Sequence, residues 1–300
     1  MITIATKLPT AQKPGLPDKL PRIGLALGGG GARGLAHIVV LEAFEELGVT
    51  PSLIAGTSIG ALYGAAYASG MSAAHIRALT EETLGSRFDV IRQLFSSRAP
   101  PLQKLLSVIP WRSALLDPAA LLDHVLPKQF APRFDALSIP LAVVATDLAA
   151  HEAVVFRAGD LRTAVAASIA IPVLFAPVQI EGRTFVDGGI VNPLPYDVIA
   201  DDVDIVVAID VSGAAMDVEV GPNPSMVSVL TQSVQILQKT IIRERLRHVR
   251  PDLYIDVELD QFGALQFHKA KDILEAAAPL KEELKVRLVR LLTSLAVDEA

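Results

Sequence analysis

Two short apolar segments that each run into glycines constrain the fold more than any other feature. The first, Arg22–Leu27 (RIGLAL), ends at four consecutive glycines, Gly28–Gly31. A helical pattern follows from about Leu35 to Leu47, with Leu35, Val39, Leu41 or Ala43, and Leu47 at helix-like spacing and Gly48 as its stop. The second segment, Leu53–Ala55, ends at Gly56-Thr57-Ser58-Ile59-Gly60, and a small-residue helix is expected to about Tyr67. A short uninterrupted apolar run bounded by glycine reads as a buried strand. Strand, helix, strand, helix in so short a span points to a parallel sheet covered by helices. Leu141–Thr146 (LAVVAT) and Ile205–Asp210 (IVVAID) read as two more buried strands, and Leu253–Val257 as a further one.

The rest of the chain sorts around this unit. Residues 1–21 carry four prolines and three lysines with no apolar run of seven, so they read as a flexible leader and not as a signal peptide. Between Leu84 and Phe134 six prolines punctuate apolar stretches. That composition suggests an inserted group of short helices, either a packed helical cap or else a mobile lid or lipid-facing patch. Met216–Pro224 reads as a loop, followed by a long helix to about His248 and by helical patterns at Ala264–Ala277 and Leu280–Leu295. The last carries a leucine stripe of the kind that docks on its own domain. The simplest division is a principal region over 22–215 and an extension over 216–300 packed on the same domain.

Composition removes several function classes. Of 300 residues, 51% are hydrophobic and 20% charged, enough to bury a substantial core. The net charge of −6, with no dense basic cluster, gives no invitation to nucleic acid. Without cysteine there is no disulfide framework, thiolate zinc site or cysteine nucleophile. The longest uncharged stretch, Leu47–Ile76, is broken by glycines and serines, so a spanning helix is not expected. A mean hydropathy of +0.43 leaves room for a cytoplasmic protein that touches a membrane peripherally.

Gly56–Gly60 fits G-x-S-x-G between a strand and a helix. Glycines on both sides allow a sharp turn and close packing, so the Ser58 hydroxyl can stand clear at the sheet end, near the positive end of the next helix. The bland alternative is a tight turn with a capping serine. Gly28–Gly34 offers two readings. Gly29, Gly31 and Gly34 match G-x-G-x-x-G, but Pro51–Ala55 lacks the ribose-binding acid of a dinucleotide site, and no Gly-Lys-Ser/Thr completes a phosphate loop. The other reading is an oxyanion hole of backbone amides, which also accounts for the serine turn. Arg33 would order this loop or attract an anionic head group, or else be a solvated surface residue.

A serine nucleophile needs a proton acceptor. None of the histidines (His37, His75, His124, His151, His248 and His268) lies in a late loop of the usual hydrolase order, and His37 suits packing. Asp187, in Phe185-Val186-Asp187-Gly188-Gly189, is the better candidate, expected in an exposed, tightly turning loop. Its alternative is a turn aspartate capping its own loop. An aspartate near pKa ~3.9 is a weak base, so a dyad would need short distance, preorganised donors and some exclusion of water.

Taken in order, Gly29-Gly30-Gly31-Ala32-Arg33-Gly34, Gly56-Thr57-Ser58-Ile59-Gly60 and Asp187-Gly188-Gly189 resemble the patatin-like phospholipase family, most closely its compact bacterial members. Ala167–Pro172 (ASIAIP) and Val191–Pro195 (VNPLP) support the likeness. The resemblance implies a three-layer α/β/α fold with a mainly parallel central sheet, a Ser–Asp dyad without catalytic histidine, and hydrolysis of lipid acyl esters with no cofactor or metal. It implies Ser58 as nucleophile, Asp187 as base, and the amides of Gly30 and Gly31, joined by Ala32 or Arg33, as oxyanion donors. Gly29, Gly34, Gly56, Gly60, Gly188 and Gly189 would support the loops. Gly28 departs from the aspartate that plant members often carry there. Two other readings compete: a non-catalytic regulator or adaptor that keeps this fold, and a peptidase or hydrolase of small esters. The expected partner is a lipid or acyl-ester substrate, with transient membrane contact and no nucleic acid.

Overall fold

A computed structural model describes residues 20–86, 116–213 and 226–298. Nearly all of the expected leader, the middle of the Leu84–Phe134 insertion and the Met216–Pro224 loop lie outside the described residues. The strands are β1 (Ile23–Leu27), β2 (Leu53–Thr57), β3 (Leu141–Asp147), β4 (Glu152–Phe156), β5 (Val178–Ile180), β6 (Arg183–Asp187), β7 (Ile205–Asp210) and β8 (Leu253–Asp256). The α-helices are α1 (Ala36–Leu47), α2 (Ile59–Ala68), α3 (Ala73–Ser86), α4 (Pro118–Val125), α5 (Leu161–Ser168), α6 (Met226–His248), α7 (Ala270–Ala277) and α8 (Pro279–Asp298).

All the strands belong to one mixed sheet. Five are parallel in the order β3-β2-β1-β7-β8. β4 and β6 run antiparallel to β3, and β5 antiparallel to β6. The parallel strands are apolar on both faces, as a covered sheet requires. Leu25, Leu27, Ile54, Val143, Val207 and Ile209 belong to the larger core with α1, α2 and α5. Ala26, Ala55, Ala142 and Ala208 point the other way, where Leu194, Tyr196, Ile199 and α6 residue Ile242 cover them. The result is three layers, helices on either side of the sheet, with small residues letting the 194–203 segment lie close to the second face.

Register on β3 positions the site. β4 pairs along Val143–Asp147. β2 pairs with Leu141–Val144 and β6 with Ala145–Asp147. Both overlap the β4 pairing, so β2 and β6 must share the opposite edge of β3. β2 runs parallel and β6 antiparallel to β3, so they approach head-on and end where they meet.

Local signals explain the element ends. Gly48 takes the left-handed conformation (φ 70°) that closes α1. Asp117 and Asp160 cap α4 and α5 by accepting bonds from Ala119 N and Thr163 N. α8 buries Leu284, Leu288 and Leu292, and its Lys281 and Lys285 pair with Glu46 on α1. The expected helix over Ala264–Ala277 is shorter in the structure. A turn closed by Gln266 N on Gly263 O precedes a 3-10 turn and α7. The Ala264 carbonyl is taken instead by a distant amide, that of Ala32. Among the described residues no helix is long and apolar enough to cross a membrane.

Candidate active site

β1 and β2 are parallel neighbours, so the loops leaving their carboxyl ends emerge side by side. One is the glycine run after Leu27, and the other is the turn at Ser58. Ser58 has φ 55° and ψ −124°, a conformation that non-glycine residues rarely adopt and that suits a strained strand-to-helix elbow. The turn is held from several sides. Ser58 N donates to Ser168 Oγ at 2.9 Å, and Ser168 Oγ donates to Val144 O at 2.6 Å. Thr57 Oγ1 donates to Asn192 O at 2.8 Å. Gly60 must be bare, because a Cβ there would run into the Leu27 carbonyl.

Asp187 ends β6. Ser58 Oγ donates to Asp187 Oδ2 at 2.6 Å, while Oδ1 accepts from Gly189 N at 2.7 Å. Asp187 N donates to Ala170 O at 2.9 Å, and Thr146 Oγ1 donates to the Asp187 carbonyl at 2.9 Å. The exposed loop expected here is therefore corrected: Asp187 is only 5% exposed, because pairing with β3 carries it into the sheet end. Burial pushes its carboxyl up to about 6, against the opposing pull of the bonds from Ser58 and Gly189.

The glycine loop is anchored at its ends. Gly28 N donates to Ile209 O at 3.0 Å and Gly29 N to Pro193 O at 2.9 Å. Ala32 N donates to Ala264 O at 2.7 Å, so the expectation that it faces an oxyanion is corrected: its proton is already committed. The Arg33 amide falls within the 3-10 turn Gly31–Leu35, where i→i+3 bonding directs it to Gly30 O. Gly30 and Gly31 are left, and neither amide has an acceptor among the described residues. Gly31 has φ 60° and lies against the Ala264 carbonyl.

The Arg33 side chain is buried, contrary to both the solvated and the head-group reading. It donates from Nε to Val211 O at 3.0 Å and from Nη1 to Phe262 O at 3.3 Å, and burial lowers its pKa to about 10. Arg33 thus ties the glycine loop to the exits of β7 and β8. His37 is also buried, and its Nε2 donates to Gly28 O at 2.8 Å; burial lowers its pKa to about 4. The other five histidines lie on exposed helix ends and turns. The remaining glycines sit at close approaches: Gly29 beside Ser58, Gly34 against Ile59, Gly56 against Ala61, Gly188 against Val144 O and Gly189 against Gln238.

An apolar cavity opens at Ser58 and Gly31 and continues between α2 and α3. Among the described residues there is no group of three or more His, Asp or Glu placed to hold a metal ion. Sequence reasoning missed Ser168, Thr146 and the Ala264 carbonyl. Ser168 stood within the ASIAIP stretch, the one signal that could have flagged it, but nothing local shows which amide it meets.

Residues 25–200 match the family model described as patatin-like phospholipase. An uncharacterized NTE family protein of Mycobacterium bovis is 38% identical over 206 residues, covering 67% of this chain and 51% of the relative. The human patatin-like phospholipase domain-containing protein 6 is 33% identical over 192 residues, 63% of this chain and 13% of that protein. The chain thus spans about half the length of the mycobacterial relative. Among solved structures, VipD from Legionella pneumophila aligns over 91% of this chain and 68% of its own, at 17% identity and a TM-score of 0.47.

Proposed function

The chain belongs to the patatin-like phospholipase family, and from that premise we propose that it is a serine acyl hydrolase. It cleaves fatty-acyl esters of phospholipids or related lipids through Ser58 and Asp187. The observation that carries the reading is the 2.6 Å hydrogen bond from Ser58 Oγ to Asp187 Oδ2, in a buried setting at the mouth of an apolar cavity.

Each part has a physical task. As Ser58 Oγ attacks the ester carbonyl carbon, its proton passes to Asp187. A carboxyl held at about 6 is ionised at neutral pH yet a stronger base than an ordinary aspartate. Negative charge develops on the carbonyl oxygen, and the Gly30 and Gly31 amides are the donors for it; one such donor is worth roughly 3 kcal/mol. Collapse of the tetrahedral intermediate breaks the bond to the alcohol, which takes the proton from Asp187. Water then attacks the acyl-enzyme, gives its proton to Asp187, and Ser58 regains a proton as the fatty acid leaves. The strain at Ser58 and the bond from its amide to Ser168 keep the hydroxyl aimed at the carboxylate between steps.

The cavity favours a lipid acyl chain over a small ester, since its walls are almost wholly apolar and each buried methylene contributes roughly 0.8 kcal/mol. Product analysis by mass spectrometry on a defined lipid panel, with Ser58→Ala as blank, tests the reading. Release of fatty acid by the native protein alone supports it. Equal release by both proteins, or none by either, rejects it.

A further inference from the structure

The cavity leaving Ser58 is walled along its length by one face of α2. Ile59, Leu62, Tyr63 and Ala66 recur at the i, i+3, i+4, i+7 spacing of a single helical stripe, and all four line it. The opposite face of α2 is pressed on the sheet through small residues, with Gly60 over Leu27 and Gly64 over Ile54. α3 supplies a facing wall with Ile76, Leu79, Thr80 and Thr83, and α4 and the 169–175 segment close the sides with Leu121, Val125, Ile171 and Phe175. The Tyr63 hydroxyl lies 3.4 Å from Thr80 Oγ1, which fixes the hairpin register of the two helices. In that register Thr83 lies toward Ser58 and Ile76 toward Ala66. Met71, 4% exposed at the bend between α2 and α3, lies at the far end. Burial pushes the Tyr63 phenol up to about 12, so it adds no charge to this passage.

Resting on the acyl-hydrolase reading, we infer that this cavity is a linear acyl channel whose depth is set by Ala66, with Met71 as its floor. The helical rise from Ser58 to Ala66 is about 12 Å. An extended chain advances roughly 1.2 Å per bond, taken from about 3.5 Å for the three backbone bonds of a residue. The channel therefore takes about ten carbons beyond the ester carbonyl before it reaches Met71. Its substrate class is the ester of an unbranched, medium-length acyl chain. A side chain larger than methyl at position 66 projects into the path, and a smaller one at 71 deepens it.

Two variants of opposite sign test this. Rates on p-nitrophenyl esters from acetate to palmitate are measured for the native protein, Ala66→Leu and Met71→Ala, with thermal melts to show that each is folded. The native optimum is expected near the decanoate. Ala66→Leu removes room for about three methylenes, each worth about fourfold, so its decanoate-to-butyrate ratio of kcat/KM should fall about fifty-fold. Met71→Ala should move the optimum to longer esters. Calorimetric binding of decanoate to Ser58→Ala, with and without Ala66→Leu, separates the channel from the chemistry. Decanoate binding that Ala66→Leu weakens about fifty-fold, together with no ester hydrolysis by the native protein, would leave the channel standing and remove the hydrolase. Native hydrolysis with a chain-length profile unmoved by either variant would overturn the channel.

Discussion

Thr57 and Asp187 occupy adjacent register positions on one edge of β3, Thr57 opposite Val144 and Asp187 opposite Ala145. β2 and β6 therefore run toward each other along a shared edge, and the residue after Thr57 has to emerge at the end of β6. That places the Ser58 hydroxyl on the Asp187 carboxylate despite a sequence separation of 129 positions. Ser168, bonded to both Ser58 N and Val144 O, pins the junction from α5.

The ionised form of Asp187 is the one that can take the serine proton. Burial holds its carboxyl at about 6, so kcat/KM on a soluble ester should fall as pH drops through about 6 and level off above it. His37, buried and neutral at about 4, adds no limb in this range. A pH profile whose acidic limb lies near the ordinary aspartate value would contradict the role given to burial.

The same shift has a consequence for stability. The folded-state pKa of about 6 lies above the ordinary 3.8, so the fold favours protonated Asp187. That contribution is full below the unfolded pKa and is lost as pH rises through about 6. Asp187→Asn, uncharged throughout, should gain on the native protein over this window, by an amount of the order of 3 kcal/mol. Urea unfolding of both proteins at about pH 4 and pH 8 measures it; a stability gap equal at the two pH values would refute the linkage.

Ser168→Ala leaves the Ser58 amide and the Val144 carbonyl without this buried partner. A loss of about 1–3 kcal/mol is expected in urea unfolding. Labelling of Ser58 by a fluorophosphonate should also slow, because the elbow loses its brace. Normal labelling in a destabilised protein would make Ser168 a packing residue only.

Gly60→Ala places a methyl group against the Leu27 carbonyl, so α2 must lift from β1. Overpacking of this kind costs about 1–3 kcal/mol, to be read from the urea midpoint. An unchanged midpoint would show that the helix can move without penalty.

The five parallel strands and the serine elbow are legible because their signals are local: continuous apolar runs, and glycines on either side of Ser58; β4, β5 and β6, half-exposed and antiparallel, carry no such run and remain unread. The identity of Asp187 is legible for the same reason, through the two glycines after it. Its burial is not, because that depends on how β6 registers against β3, a long-range pairing with no mark in the segment itself. Arg33 reads as a surface charge until Val211 and Phe262, from remote parts of the chain, present their carbonyls to it. The Ala32 amide looks available until the Ala264 carbonyl occupies it. Gly30 and Gly31 are left as the loop amides with no acceptor among the described residues only because of what their neighbours do, which spacing alone could not show.

The central claim is that Ser58 becomes acylated with Asp187 as its base. Rapid quenching of the native protein with a slowly deacylating fatty-acyl ester, followed by peptide mass spectrometry, tests it most directly. The account predicts one acyl group on the peptide carrying Ser58, formed at least a thousand-fold more slowly in Asp187→Asn, on the order expected for loss of the general base. Acylation at another residue, or at the native rate in Asp187→Asn, would contradict it.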